Sequence, residues 1–427
     1  MKTMKRFLCL VLSVLMTAAL LLSGCQKSAD TGKTEIEIVQ YKQEAVKTFE
    51  KIEANFNATH DDIHLTISSP NDATTSILKT RFIREDYPDI IGIGGDVNYS
   101  NFVDAGILMD ISDYDGLKNV KQSYLDILEG LEFVPTEGVF GMPYAANAAG
   151  ILYNKAMFQE HGWTLPTNWN ELIMLCDTIK KAGILPFYFG MKDTWTCLAP
   201  WNALCVDLAP ADICQQVNEG KTTFTAAYKE VAEKMMQLLP YGEEGVVAYG
   251  YNDACTAFAN GESAMYTIGS YAVPQILSVN PDMEIGSFVM PGNDDSDKQY
   301  LNSGVDLQFC VTSECPNKEA AYEVLRYLQE PANVQLYIDD QTSVPCENGD
   351  FRIPAVLDDM KPYIDNDKMV DYQDHHYPSE MSVDAIIQTM VINGDIDAFL
   401  AKFDKDWVRY NRDIIRKVQA YQAAHQS

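Results

Sequence analysis

Asp89-Ile90-Ile91-Gly92-Ile93-Gly94-Gly95-Asp96 is the stretch that decides the fold. Its short, unbroken apolar run ends in a glycine turn. A strand buried on both faces reads this way, and such strands belong to parallel sheets covered by helices. Upstream, Ile36, Ile38 and Val39 begin a first strand. Residues 43–58 place Val46, Phe49, Ile52 and Phe56 on one helical face. His64-Leu65-Thr66-Ile67 alternates like a second strand. Strand, helix, strand at these spacings predicts wound α/β units. A carboxylate at the end of such a strand faces the crevice of the sheet, so Asp96 is a candidate ligand-binding acid. The competing reading is an Asp that caps a turn. Gly92 and Gly94 lack the third glycine of a dinucleotide fingerprint, since Val97 stands there.

Further out, the N-terminus carries Lys2, Lys5 and Arg6 ahead of an apolar stretch at 7–22. That stretch is shorter than the roughly 20 residues that cross a bilayer, and it reads as an export signal. Leu22-Ser23-Gly24-Cys25 resembles the bacterial lipoprotein box. The resemblance implies cleavage after residue 24, acylation of Cys25, and a flexible spacer over 25–35. The chain would then work at the outer face of the cytoplasmic membrane, held by lipid alone. Loss of the three basic leader residues takes the formal net charge from −29 to −32. So acidic a surface repels nucleic acid and anionic lipid. Eight cysteines follow Cys25 without a CxxC pair or zinc spacing, and read as free buried thiols rather than a disulfide framework.

The middle of the chain predicts helices over 169–182 (capped at Thr167), 226–239 and 319–330, the last stopped by Pro331. Phe399, Phe403, Trp407, Tyr410 and Ile414 predict one long C-terminal packing helix. Trp195 and Trp201 fall in a proline-broken stretch among polar residues, and both are candidate aromatic plates. No phosphate-binding loop and no Gly-x-Ser-x-Gly elbow occurs. His60 and His64 lack the Glu of a zinc-protease helix, and His375-His376 reads as a surface pair. No catalytic residue, metal or cofactor is expected.

Residues 138–163 contain Gly141-x-Pro143, then Tyr153-Asn154-Lys155, Phe158 and Gly162. Pro166, Thr167, Trp169, Glu171 and Leu172 follow, then Gly183-Ile184-x-Pro186-Phe187. Phe258-x-x-Gly261-Glu262-Ser263-Ala264-Met265, Gly269-Ser270-Tyr271 and Pro316-Asn317-Lys318-Glu319-Ala320-Ala321 complete the series. In this order they resemble family 1 extracellular solute-binding proteins, the maltose-binding-protein type that feeds ABC importers. One departure is Tyr271, where the family often has Trp.

The resemblance implies an α/β, two-lobed periplasmic-binding-protein type II fold with a ligand cleft between lobes. The first lobe would hold 36–143 and 303–345, the second 148–290 and 350–427. Hinges would lie near 144–148, 291–304 and 345–353. It implies a monomeric receptor that captures a sugar or oligosaccharide and hands it to the permease and ATPase of an importer. A sugar needs aromatic plates for its C–H faces and fixed polar groups for its hydroxyls. Besides Asp96, Trp195 and Trp201, the candidates are Tyr41 and Gln43 at the end of the first strand, Tyr144 and Asn147 in the first crossover, Tyr271, and Asn302 and Asp306 in the second. None is basic, which favours a neutral guest over an anion. Other readings are a peptide, polyamine or anion in the same fold, or an exported glycoside hydrolase with paired carboxylates.

Overall fold

The structure, a computed structural model, describes residues 32–70 and 74–425. The leader, Cys25 and most of the spacer lie outside the described residues. The strands in chain order are β1 (Thr34–Gln40), β2 (Ile63–Ser68), β3 (Ile90–Ile93), β4 (Met142–Ala146), β5 (Ile151–Asn154) and β6 (Leu185–Phe187). They continue as β7 (Ser263–Tyr266), β8 (Ile285–Phe288), β9 (Leu301–Asn302), β10 (Val305–Val311), β11 (Val344–Pro345) and β12 (Met369–Val370). β1 starts two residues before Ile36, because Thr34 and Glu35 already pair with Ile63 and His64.

Two main sheets organise the two lobes. The first runs β11-β4-β10-β3-β1-β2, and the second β6-β7-β5-β8. β1 is parallel to both β2 and β3, as the strand-helix-strand pattern predicts. All four residues of β3 are buried. Gly92 has to be glycine: a Cβ there would sit 2.6 Å from that of Gln40 on the neighbouring strand. β10 enters antiparallel between β3 and β4.

The chain passes from the first sheet to the second in the four residues between β4 and β5. It returns through β9 into β10. The two passages are laced together: the Asn147 amide donates to the Gly304 carbonyl (3.3 Å) and the Ala149 amide to that of Asn302 (2.9 Å). Where β10 meets β4 the ladder slips. Val305 faces Ala146 and Leu307 faces Ala145, so Asp306 is an extra, unpaired residue. Such a bulge re-aims a side chain out of the sheet alternation.

Helices pack both sheets. Val46–Thr59 buries Phe49, Ile52 and Phe56. Trp169–Lys181 is capped by Asn168, whose side chain accepts from the Glu171 amide, and not by Thr167. Glu171 instead bonds back to the Thr167 amide (2.8 Å). Pro331 does more than stop a helix. Lys318–Leu328 ends before it, and Pro331 opens the next helix, Pro331–Gln341, where its missing N–H costs nothing. The C-terminal helix is two helices, Ile396–Tyr410 and Arg412–His425. Phe399, Phe403 and Trp407 are buried, while Tyr410 is 38 % exposed and leaves the apolar stripe. All eight cysteines after Cys25 are buried and free.

Candidate functional site

A cavity of about 470 Å³ opens between the lobes. The first lobe lines it with Lys42, Glu44, Asp306 and Asp340, and the second with Trp195, Tyr251, Tyr271 and Gln275. Asn147, in the first crossover, forms part of its floor. The volume suits a small oligosaccharide or another drug-sized guest. Two other depressions fit less well. One of about 50 Å³ lies in an interlobe seam between Ser100 and Trp407, where Lys417 also pairs with Asp104. A surface hollow of about 640 Å³ near Thr34 and Lys318 has no Trp, Tyr or Phe in its lining.

The second-lobe wall is aromatic. Trp195 sits in a 3-10 turn (Thr194–Cys197) that holds it 40 % exposed. Its ring centre lies 5.0 Å from that of Tyr251 and 6.4 Å from that of Tyr271. Asp193 fixes the neighbouring loop by accepting from the Tyr251 amide (2.8 Å). Tyr271 follows the Gly269-Ser270 turn. Its ring covers Gly269, leaving no room for a Cβ there (2.2 Å).

The first-lobe wall is charged. Lys42 Nζ lies 2.8 Å from Asp306 Oδ2 and 2.9 Å from Glu44 Oε1. Burial pulls the Lys42 pKa down, but the Asp306 carboxylate outweighs it and holds the ammonium charged. The Tyr41 hydroxyl donates to the Asp306 carbonyl (2.5 Å), and Asn147 Nδ2 to its Oδ1 (3.4 Å). The bulge at Asp306 thus gathers Tyr41, Lys42 and Asn147 around one carboxylate. A cation does line the cleft, which the candidate positions lacked, but two carboxylates already neutralise it.

The sequence candidates divide. Trp195, Tyr271, Asn147 and Asp306 line the cavity, and Tyr41 supports Asp306. Asn302 lies behind the floor, 1 % exposed, with neither side-chain polar atom bonded among the described residues. Asp96 caps the helix Val97–Asp104 by accepting from the Asn98 amide (2.8 Å). Burial raises its pKa, and the nearby His375 charge partly offsets this. Three candidates point elsewhere. Trp201 is fully buried, edge-on to Tyr228 and Phe399, with its indole N–H donating to the Tyr377 hydroxyl (3.3 Å). Tyr144 is fully buried between Phe309 and Tyr337. Gln43 donates to the Ser69 and Pro70 carbonyls (3.1 and 2.8 Å) and so ties down a loop.

His375-His376 is not a surface pair, its side chains being 19 % and 17 % exposed. His375 Nδ1 meets Asp371 Oδ1 at 2.8 Å. Burial lowers the His375 pKa, but Asp371, Asp374 and Asp96 outweigh it and set it at about 9. This cluster presses on the second crossover. A Cβ on Gly304 would come 2.2 Å from Asp371 Oδ1 and 2.7 Å from the His375 ring. The available signal was the run Asp371-Tyr372-Gln373-Asp374-His375-His376, dense in groups that pair when buried.

The multiple sugar-binding protein of Streptococcus mutans is 26 % identical over 384 residues, 86 % of this chain and 87 % of that relative. The melibiose/raffinose/stachyose-binding protein MelE of Bacillus subtilis is 21 % identical over 88 % of each chain. Among solved structures, apo RafE of Streptococcus pneumoniae superposes with TM-score 0.78 at 23 % identity, covering 91 % of this chain and all of that one. A putative binding protein MsmE of Bacillus subtilis, in an open conformation, gives 0.75 at 20 % identity over 91 % of this chain and 99 % of its own. The bacterial extracellular solute-binding protein pattern matches residues 33–335. With a two-lobed fold, an interlobe cleft and a match over most of its length, the chain belongs to the bacterial extracellular solute-binding protein family.

Proposed function

We propose that this protein captures a neutral sugar or oligosaccharide outside the cell and delivers it to an ABC-type importer. The observation that carries this reading is the pairing of a three-ring wall with a polar wall across one cavity. Rings cover the C–H faces of a sugar, and the fixed polar groups opposite bond its hydroxyls. Two relatives support it, since the Streptococcus mutans protein and MelE are both described as binding sugars. RafE has also been solved with raffinose, and a Bacillus licheniformis sugar transporter protein with stachyose. The binding residues in this reading are Trp195, Tyr251, Tyr271, Asn147, Lys42 and Asp306, with Asp96 and Asn302 behind them.

The mechanism is hinge closure about the crossovers near 144–148, 291–304 and 345–353. A guest that touches both walls favours the closed form. Moving from about 1:99 to 99:1 closed takes roughly 5.5 kcal/mol of differential binding. A micromolar guest supplies about 8 kcal/mol in all, so most contacts must form on closure. The receptor acts as a monomer, tethered through an acylated Cys25, and the importer reads its closed shape. A thermal-shift screen with melibiose, raffinose, stachyose and other neutral saccharides tests the reading. At least one should raise the melting point and bind with a calorimetric 1:1 stoichiometry. No response across the panel would retire it, and turnover of any saccharide would replace it with a hydrolase.

A further inference from the structure

The cavity differs at its two ends. Its inner end is sealed by the laced crossovers, where Asn147 bonds Gly304 and Ala149 bonds Asn302. Ala149 also bridges Gly269, which brings the Ser270 turn to the same floor. Buried polar atoms without a partner among the described residues lie at this floor and behind it: Ser270 Oγ and Asn147 Oδ1 belong to residues of the cavity lining, and both side-chain polar atoms of Asn302 and the Tyr372 hydroxyl to residues outside it. Ser270 and Asn302 are 1 % exposed and Tyr372 6 %. Tyr372 lies against Gly304, 2.9 Å from where its Cβ would be. A buried polar group gains about 1–3 kcal/mol from meeting a partner, so this floor is where the hydroxyls of a guest have most to offer. The outer end is the reverse. Trp195, Glu44, Pro274 and Asp340 all face solvent.

Resting on the sugar-binding reading, we infer that this receptor recognises the end of a glycan chain. One terminal unit seats its hydroxyls on Ser270, Asn147 and the groups behind them. The following units leave past Tyr271 and Trp195 into solvent. The substrate class is a set of neutral oligosaccharides that share one terminal unit and differ in length. Lys42 offers no free charge to an acidic sugar, because Asp306 and Glu44 hold it.

Calorimetry on neutral disaccharides modified at one end tests this. Each reducing disaccharide that binds is prepared with a 2-aminobenzamide tag at its reducing end and, separately, a 4,6-O-benzylidene group on its non-reducing unit; a binder that ends in a sucrose linkage, such as raffinose, carries a bulky 6-O-ether on its fructose unit in place of the tag. One modification should weaken binding more than about 100-fold, and the other less than about threefold. Equal tolerance of both would mean side-on binding. Equal loss would mean a cavity closed at both ends. Either overturns the inference while leaving sugar binding intact, whereas a screen with no binder fails at the earlier reading. Ser270→Ala gives an independent check. It should lower affinity about tenfold for every binder while the melting point stays level or rises, since an unbonded hydroxyl is removed. Unchanged affinity would contradict the socket.

Discussion

The two walls of the cleft solve different problems. The second lobe presents Trp195, Tyr251 and Tyr271, and in the proposed reading their faces would attract a sugar ring without fixing which hydroxyl points where. The first lobe presents Lys42, Glu44 and Asp306, which hold one another at 2.8–2.9 Å and are set before any guest arrives. Rings favour association, while preset polar groups discriminate, because a mismatched hydroxyl leaves a partner unmet. Two tryptophans six residues apart sharpen the contrast: Trp195 opens on the cleft and Trp201 fills the core of its own lobe.

The largest expected effect lies on that core. Trp201→Ala removes a fully buried indole and should cost about 3–5 kcal/mol in urea unfolding. A loss under about 1 kcal/mol would mean that Trp201 is not core. Next, Asp306→Ala leaves Lys42, 9 % exposed, with only Glu44 as partner. Removing one side of a buried ion pair should cost about 3 kcal/mol, and sugar affinity should fall with it. A variant of full stability and affinity would show that the charged wall is a surface decoration.

His375 supplies a pH test. Its folded pKa is about 9 against an ordinary 6.5. A raised pKa contributes stability that is complete below about pH 6.5 and lost as pH climbs through about 9. Asp96 and Asp374, both raised by burial, slope the same way at lower pH. His375→Gln should therefore flatten the fall in stability between pH 6 and 9.5 by about 3 kcal/mol. Parallel curves for the two proteins would remove the charge from this cluster.

The smallest effect should come from the exposed ring. Trp195→Ala should weaken sugar binding about tenfold, near 1.4 kcal/mol, with the melting point shifted only slightly. Equal loss of binding and stability would erase the distinction between the two tryptophans.

Much of the frame could be read without coordinates. The unbroken apolar run at 90–93 announced a strand covered on both faces, whereas Tyr271 came only from the family resemblance, and it stands half-buried on the cavity wall. The two tryptophans were not separable, because Pro200 looked like a break. Instead it stands in the first turn of the helix Leu198–Leu208, where proline is tolerated, and so carries Trp201 into a helix buried on nearly every face. Lys42 and Tyr251 were missed because what places them is tertiary. Lys42 turns inward to meet Asp306, which a bulge displaces 264 residues later. Spacing along the chain carries no trace of such a meeting. His375 is the opposite case: its direct partner, Asp371, is only four residues away, and only the smaller contribution of Asp96 reaches it from the other lobe.

Small-angle scattering with and without a saccharide that raises the melting point tests the central claim most directly. The account predicts a smaller radius of gyration and a shorter maximum dimension on binding, as the two walls meet around the guest. Superimposable profiles at saturating sugar would contradict it, because a cleft that does not close cannot bring the charged wall to the ring the aromatic wall holds.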